Sequence, residues 1–414
     1  MNSNLIAWTR SIFRNLDTVR INYILLLGGS GISVIISFLV MKLIKFRLGQ
    51  VEFEVMVLIL RYSGFIVPAL CCGMGVAIPR YMGAQIERRS QHDLTSIVGT
   101  GYITVLTTIA VFVTLINFEF FQVRLNELLF NNANYIFILG IYSSLLALYA
   151  ITYAVARGAQ HFAQNEILNF LIIGFPSIAI AYFSNSIQTY FIVVAALNLC
   201  LSLTLSKKYF NWIRLRFSKE IFTFGAKRVF GDLVFPLLTL LPTIAIVKMS
   251  GTSKGAEFGF NLMLVNGALI ILNPISTLLL PRSVRLSTDR FFLNKLIRYS
   301  IVTLLMAPPI IFLVNLFVTQ LFFSNDNIQI AVVVAIGGGF LSQYLLARSI
   351  IDGAYHQPRL LYIMVLALLA ESVVVGVAYI VSVPNLSVYS YIVGMAILGT
   401  VSLLELKRLV KNAN

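Results

Sequence analysis

Long apolar runs separated by short polar segments make up almost the whole chain. A helix needs about 20 mostly apolar residues to cross a bilayer, and the runs have that length. They predict twelve spanning helices, so we expect an all-α polytopic membrane protein. The predicted spans are 22–41, 55–78, 94–116, 135–156, 166–183, 187–206, 225–249, 258–280, 296–323, 328–350, 360–382 and 388–406.

A basic and aromatic segment, 207–228, divides these runs into two blocks of six spans each. It holds seven lysines and arginines and one acid, Glu220, which is typical of a linker at the cytoplasmic membrane surface. Apolar residues at helical spacing in 1–21 predict an amphipathic helix lying on the inner surface. The predicted organisation is an N-terminal bundle (1–206), a cytoplasmic linker (207–224) and a C-terminal bundle (225–414).

Composition and charge fix the orientation that we expect. Of the 414 residues 58% are hydrophobic and 11% charged, and the formal net charge is +15. With the N-terminus inside, cytoplasmic segments hold 24 of the 31 lysines and arginines and outer segments hold six. Short cytoplasmic loops of membrane proteins are enriched in these residues. We therefore predict that both termini are cytoplasmic and that the positive charge does not serve nucleic-acid binding.

Two short matches suggest that the halves are copies of one unit. Ile78-Pro79-Arg80 closes the second span, and Leu280-Pro281-Arg282 closes the eighth. Gly158 to His161 follows the fourth span, and Gly353 to His356 follows the tenth. Because each half has six spans, the copies enter the membrane in the same direction. We expect two six-helix bundles related by a pseudo-two-fold axis along the membrane normal, with a site between them.

The sequence carries no enzyme signature. It has no Walker loop, no His-Glu-x-x-His and no nucleophile elbow, so we expect a transporter rather than an enzyme. Cys71, Cys72 and Cys200 have no metal-ligand spacing, and no cofactor or metal is expected. Without a nucleotide site, the energy must come from an ion gradient, the membrane potential or a partner.

Ionisable residues inside spans are the candidate site residues, because a charge there is costly and usually faces a cavity. Glu371, near the middle of the eleventh span, is either a coupling carboxylate for H⁺ or Na⁺ or a protonated structural acid. Arg61, in the second span, is either a cavity cation for an anionic headgroup or an arginine that snorkels outward toward Glu54.

The remaining candidates lie toward the inner span ends. Asp232 is either a second coupling carboxylate or a local partner of Arg228. Basic residues at these ends either line an inner vestibule for a substrate headgroup or only set topology. The headgroup candidates, besides Arg61, are Arg80, Arg157, Arg228 and Arg282.

Prolines mark where helices can bend, because proline removes a helix hydrogen bond. The seventh span holds Pro236 and Pro242 together with Asp232, and we predict a hinge there. The alternative is a pair of static kinks.

Two segments resemble a known family. The segment from Gly73 to Gly83, the segment from Phe222 to Arg228 and the six-plus-six layout resemble the O-antigen and polysaccharide flippases of the multidrug, oligosaccharidyl-lipid and polysaccharide exporter superfamily. The resemblance covers essentially the whole chain. It implies a V-shaped cavity between two bundles, alternating access and a cavity lined by basic residues, of which Arg61 is the deep one.

The resemblance also implies a function. The cargo would be a polyprenyl-pyrophosphate-linked oligosaccharide, such as an O-antigen repeat unit, moved to the outer leaflet of a bacterial cytoplasmic (inner) membrane. Expected partners are membrane lipids and a polysaccharide polymerase with its chain-length machinery. Two alternatives stay open, a cation-coupled multidrug exporter and a membrane glycan polymerase. The first should carry more deep acids, and the second needs an outer loop longer than Asn117–Asn134.

Overall fold

Helices form the regular structure throughout the described part of the chain. The computed structural model describes residues 28–29, 31–86, 94–131, 135–159, 168–209, 216–269, 272, 287–323, 328–354 and 359–412. The first seven helices are α1 (31–48), α2 (Gln50–Cys71), α3 (Met74–Ile86), α4 (Leu94–Asn117), α5 (Glu119–Phe130), α6 (Ile136–Gly158) and α7 (Phe175–Phe183). The others are α8 (Ile187–Tyr209), α9 (Lys219–Ser250), α10 (Thr252–Ala268), α11 (Arg290–Gln320), α12 (Ile328–Ala354), α13 (Arg359–Val381) and α14 (Pro384–Asn412).

The predicted all-α membrane fold is confirmed. Among the described residues, nine helices are long and apolar enough to cross a membrane. The other three predicted spans, the first, fifth and eighth, correspond to α1, α7 and α10. Their predicted ranges, 22–41, 166–183 and 258–280, continue into residues outside the described part. The protein is a multi-pass helical membrane protein.

The second predicted span, 55–78, is not one helix. Helix α2 ends at Cys71, and two residues with positive φ follow, Cys72 (48°) and Gly73 (72°). Two consecutive residues in this region turn the chain, because the right-handed helix requires negative φ. A Cβ on Gly73 would overlap the carbonyl oxygen of Gly225 in α9, so glycine is needed here for close backbone approach as well as for conformation.

The predicted outer loop Asn117–Asn134 contains helix α5. Tyr62 of α2 donates from its hydroxyl to the Leu129 carbonyl at 2.6 Å, which ties this helix to the bundle. Asn126 Oδ1 accepts from the Tyr135 and Ile136 backbone N–H groups at 3.1 and 3.0 Å, and so caps the start of α6. The apolar pattern did not predict α5, because this helix of 12 residues is too short to cross a membrane.

The fifth predicted span, 166–183, is interrupted by a π-helical turn. Residues Phe170–Gly174 form this turn immediately before α7, and the Phe175 N–H donates to the Phe170 carbonyl. Pro176 follows directly, and its ring would clash with the Ile172 carbonyl in a regular α-helix. The wider turn relieves that clash.

Three buried apolar clusters organise the packing. One consists of residues from α9 to α14 only, and another consists mainly of residues from α2, α3, α4 and α6. The third combines α1, α2, α5, α6, α7 and α8 with α9 and α10 and with Phe322 and Phe323 after α11. We call α1–α8 the N half and α9–α14 the C half. The third cluster joins the two halves.

The predicted linker 207–224 is helical over its last residues, because α9 begins at Lys219 rather than at 225. Several other predictions lie outside the described residues. They are the amphipathic helix over 1–21, the loops that hold His161 and His356, and the segment with Pro281 and Arg282.

The predicted orientation can be tested by cysteine labelling. We replace Cys71, Cys72 and Cys200 by alanine and introduce Arg216→Cys or Lys254→Cys at two exposed positions. An impermeant maleimide should label Lys254→Cys in intact cells, because Lys254 is predicted to be outside. It should label Arg216→Cys only after permeabilisation. Labelling of Arg216→Cys in intact cells would mean that the topology is the reverse of the predicted one.

Candidate functional site between the two halves

The outer ends of the halves meet in a cluster of phenylalanines, where inner and outer refer to the predicted orientation. We call Phe38, Phe53, Phe260, Phe322 and Phe323 the outer cluster. The Phe53 and Phe322 rings stack with centroids 5.3 Å apart, and the Phe260 and Phe322 centroids are 4.8 Å apart. Phe53 belongs to the N half and the other two to the C half. Aromatic pairs of this kind contribute about 0.5–1.5 kcal/mol each beyond area burial.

Arg61 crosses from the N half to the C half. Its Nη2 donates to the Thr239 carbonyl of α9 at 3.1 Å, and its Cγ is 3.1 Å from where a Cβ on Gly259 would lie. Because residue 259 is a glycine, there is room between α2 and α10 for the Arg61 side chain. The Arg61 Nε is buried without a hydrogen-bond partner among the described residues.

The snorkelling alternative for Arg61 is not what this structure contains. Glu54, its proposed partner, instead accepts hydrogen bonds from Gln50 Nε2 at 3.0 Å and from Ser253 Oγ at 2.7 Å. Ser253 lies in α10, so this contact also joins the halves. Arg61 is directed across the interface rather than along α2 toward the outer surface.

Tyr391 lies beside Arg61 and was not identified from the sequence. It is fully buried in α14, near enough to interact electrostatically with both Arg61 and Glu371. Its ring packs edge-on against Phe258 at 6.1 Å and fits against Gly337 of α12. Its hydroxyl has no hydrogen-bond partner in the described part of the chain. The only sequence signal was a large polar side chain among small residues such as Ser387, Ser390 and Gly394.

Glu371 is fully buried between α13 and α14. Its Oε2 is 3.1 Å from where a Cβ on Gly394 would lie, and neither carboxylate oxygen accepts a hydrogen bond from a described residue. By contrast, Glu405 at the inner end of the same helix pair forms an ion pair with Arg359 at 3.1 Å. An isolated carboxylate in apolar surroundings takes up a proton or holds a cation. Glu371 therefore has the setting of an exchangeable ion site.

Arg61, Tyr391 and Glu371 form a polar line from the interface into the C half, which we call the central line. Arg61 lies at the boundary between the halves, and Tyr391 is within electrostatic range of both Arg61 and Glu371. Two of the candidates picked from the sequence, Arg61 and Glu371, are thus within electrostatic range of the same tyrosine. Burial in apolar surroundings lowers the local dielectric, which strengthens the electrostatic interactions of these groups.

The described contacts of Arg80 and Arg157 lie at the inner end of the interface. Arg157 of α6 lies near enough to Arg348 of α12 to interact electrostatically, so basic groups of the two halves come together at the inner end. Arg80 lies over the Phe224 ring at 4.6 Å and so takes part in a contact between α3 and α9. Arg228 is on the same inner part of α9, and Arg282 is outside the described residues.

Helix α9 contacts both halves. At its inner end the Ser218 N–H donates to Thr100 Oγ1 of α4 at 2.8 Å, and Gly225 touches Gly73. Farther along, Val234 and Leu238 belong to the apolar cluster of the C half. Pro236 and Pro242 lie in this second part, and α9 runs through both without a break.

Asp232 lies on α9 between these two regions. It is half-buried and close enough to Cys71 at the end of α2 to interact with it electrostatically. Neither Glu371 oxygen accepts a hydrogen bond from a described residue, so the two candidate acids are not hydrogen-bonded to each other. No group of three or more His, Cys, Asp or Glu side chains capable of holding a metal occurs within the residues described.

Comparison with solved structures places this architecture among known transporters. An inward-facing multidrug resistance MATE family transporter of the MOP superfamily aligns with a TM-score of 0.71 at 11% identity, covering 94% of this chain and 98% of its own. The outward-facing form of such a transporter gives 0.65 at 13% identity, with 95% and 96% covered. The chain has the fold of the MATE transporters of the MOP superfamily.

A third structure with the MATE fold is a MOP superfamily transporter from Pyrococcus furiosus, described as having a binding pocket of reversed polarity. Its TM-score is 0.64 at 13% identity, with 95% of this chain and 96% of that one covered. No protein-family model and no curated protein matches the sequence. The MATE fold accounts for two six-helix bundles.

The fit of Tyr391 against Gly337 gives a test of the central line. Gly337→Ala would place a Cβ against the Tyr391 ring, and displacing a buried ring costs about 1–3 kcal/mol. The melting temperature of the purified protein should therefore fall by several degrees. Gly376→Ala, which meets open space in α13, should leave it unchanged or raise it. Equal melting temperatures for the two variants would mean that Tyr391 is not held where the structure places it.

Proposed function

We propose that this protein is a cation-coupled exporter that moves an amphipathic substrate outward by alternating access between its two halves. The MATE fold supports this class over an enzyme. It also favours a cation-coupled exporter over a lipid-linked flippase, because the similar structures are multidrug MATE transporters. The observation that carries the proposal is the central line, which joins an interface cation to a buried carboxyl.

The positive charge at the interface restricts the class of substrate that the protein can carry. Arg61 lies at the boundary of the halves, and Arg157 and Arg348 lie together nearer the inner face. A cationic substrate that enters from the inside would meet these arginines, and like charges in a low dielectric repel strongly. An anionic or zwitterionic amphipath would form charge-assisted hydrogen bonds with them. We infer that the cargo carries negative charge.

A polyprenyl-pyrophosphate-linked oligosaccharide is the second candidate cargo. It is favoured specifically by these arginines, since a pyrophosphate suits guanidinium groups, and by the resemblance to polysaccharide flippases. Outward movement of negative charge across an inside-negative membrane is favourable by about 2.3 kcal/mol per charge per 100 mV. The membrane potential would then assist either anionic cargo.

Coupling would follow from the position of Glu371 within electrostatic range of Tyr391. A negative Glu371 would attract Arg61 toward the C half. With a proton or a sodium ion bound, that attraction would be lost, which would loosen the contact between the halves. Uptake and release of the coupling ion would in this way change how firmly the halves hold together. Asp232 is a secondary candidate for the same role.

Substitution of Arg61 tests the cargo assignment. Parent protein, Arg61→Ala and Arg61→Lys are reconstituted into proteoliposomes with an anionic amphipathic dye, a cationic dye or a fluorescent prenyl-pyrophosphate sugar. Arg61→Ala should reduce transport of the anionic cargo by about tenfold or more, because a charge-assisted hydrogen bond contributes about 1.5–3 kcal/mol. Arg61→Lys should retain part of it. If only the prenyl-pyrophosphate sugar is transported, the lipid-linked flippase is the correct function.

Arg124→Ala is the matched control, because Arg124 is an exposed arginine of the same half. It should transport at the parental rate. If the cationic dye is moved well and Arg61→Ala has no effect on any cargo, the assignment of an anionic substrate is wrong.

Glu371→Gln tests the coupling role. Glutamine mimics the neutral form, so cargo binding should persist while transport driven by an imposed pH or sodium gradient falls by about tenfold. The gradient that fails to drive the variant identifies the ion. Glu405→Gln, at the inner end of the neighbouring helix, is the control that removes a carboxylate from an ion pair instead. Parental gradient-driven rates in Glu371→Gln would make Glu371 a structural acid.

A further inference from the structure

Two lysines of α1 hold the carboxyl end of α11, although these segments are far apart in sequence. Lys42 Nζ donates to the Leu321 carbonyl at 2.9 Å, and Lys45 Nζ donates to the Phe322 carbonyl at 2.6 Å. The lysines lie one helical turn apart on α1, so they present both ammonium groups to the same partner. Each bond joins the N half to the C half.

The carboxyl end of α11 presents backbone carbonyl groups that can accept hydrogen bonds from cations. The Phe322 and Phe323 N–H groups both donate to the Thr319 carbonyl, at 2.9 and 2.8 Å, which tightens the last turn. The Leu321 and Phe322 carbonyls then lie beyond the last of these helical bonds. Such terminal carbonyls form the negative end of the helix dipole, where positive side chains are favoured. The Lys42 ammonium also lies 5.5 Å from the centre of the Phe322 ring.

The lysine contacts lie directly over the outer cluster. Phe322 supplies a carbonyl to Lys45 and a ring to Phe53 and Phe260. Outward opening must separate α1 and α2 from α10 and α11, so it breaks the lysine bonds and the aromatic contacts together. The freed ammonium and carbonyl groups can be hydrated once the outer end is open to water. Opening therefore exchanges these bonds for bonds to water, and only the net difference favours the closed state.

We propose that Lys42, Lys45 and the carboxyl end of α11 form an electrostatic latch that keeps the outer end of the protein closed. This proposal rests on the proposed alternating-access function and adds to it the contact that sets the balance between the two states. The latch is separate from the central line, which lies deeper in the membrane.

Distance measurements between the halves test the latch without reference to cargo. Spin labels at Phe118→Cys and Val381→Cys, two exposed positions in opposite halves, are introduced into protein whose Cys71, Cys72 and Cys200 are replaced by alanine. Electron–electron resonance gives the populations of short and long distances. Lys42→Gln with Lys45→Gln should raise the ratio of long to short distances about tenfold, since the two bonds exist only in the closed state.

Two control variants make the outcome specific. Lys248→Gln with Lys254→Gln removes the same charge from the same predicted side, and neither lysine bonds to α11 in the described part of the chain. This control should leave the ratio unchanged, and Lys42→Arg with Lys45→Arg should keep it near the parental value. A ratio within twofold of the parent in the glutamine variant overturns the latch, even if the transport tests of Arg61 and Glu371 succeed. A tenfold shift supports it, even if no cargo is transported.

Discussion

The cost of leaving a polar group unpaired inside a bilayer is the constraint on which this structure depends. Lipid chains are as apolar as leucine, so the halves gain little from hydrophobic contact alone. They meet instead through close backbone approach at Gly73 and Gly225, through aromatic packing and through a few polar bonds. Arg61 on the Thr239 carbonyl is the deepest of these bonds. Where the halves touch, each bond must be exchanged for another when they separate.

That constraint explains the division of the interface into layers. Lysines and helix-end carbonyls meet at the outer end, where water can replace them. An arginine, a tyrosine and a carboxyl occupy the middle, where only a charged cargo or an ion can replace their contacts. Arg157 and Arg348 approach each other at the inner end, where an anionic headgroup can lie between them. The same polar groups would thus serve to hold the halves and to receive the cargo.

The sequence predicted the helical fold well, because apolar run length is a direct physical consequence of the bilayer. It missed α5 and the break at Cys72 and Gly73, since both depend on contacts with distant segments. It selected Arg61 and Glu371 because charges within spans are costly. It could not select Tyr391, because only the fold brings this residue within electrostatic range of both. The bonds of Lys42 and Lys45 to the end of α11 were likewise hidden, since both residues read as ordinary loop charges.

Paired distances at both ends of the same molecule test alternating access most directly. Spin labels at Phe137 and Ile380 report on the outer ends, and labels at Leu94 and Phe291 report on the inner ends; all four positions are exposed. Electron–electron resonance is recorded in nanodiscs with and without an imposed ion gradient. Alternating access predicts reciprocal changes, with the outer distance lengthening as the inner distance shortens. Distances that stay fixed at both ends, or that lengthen together, would contradict it.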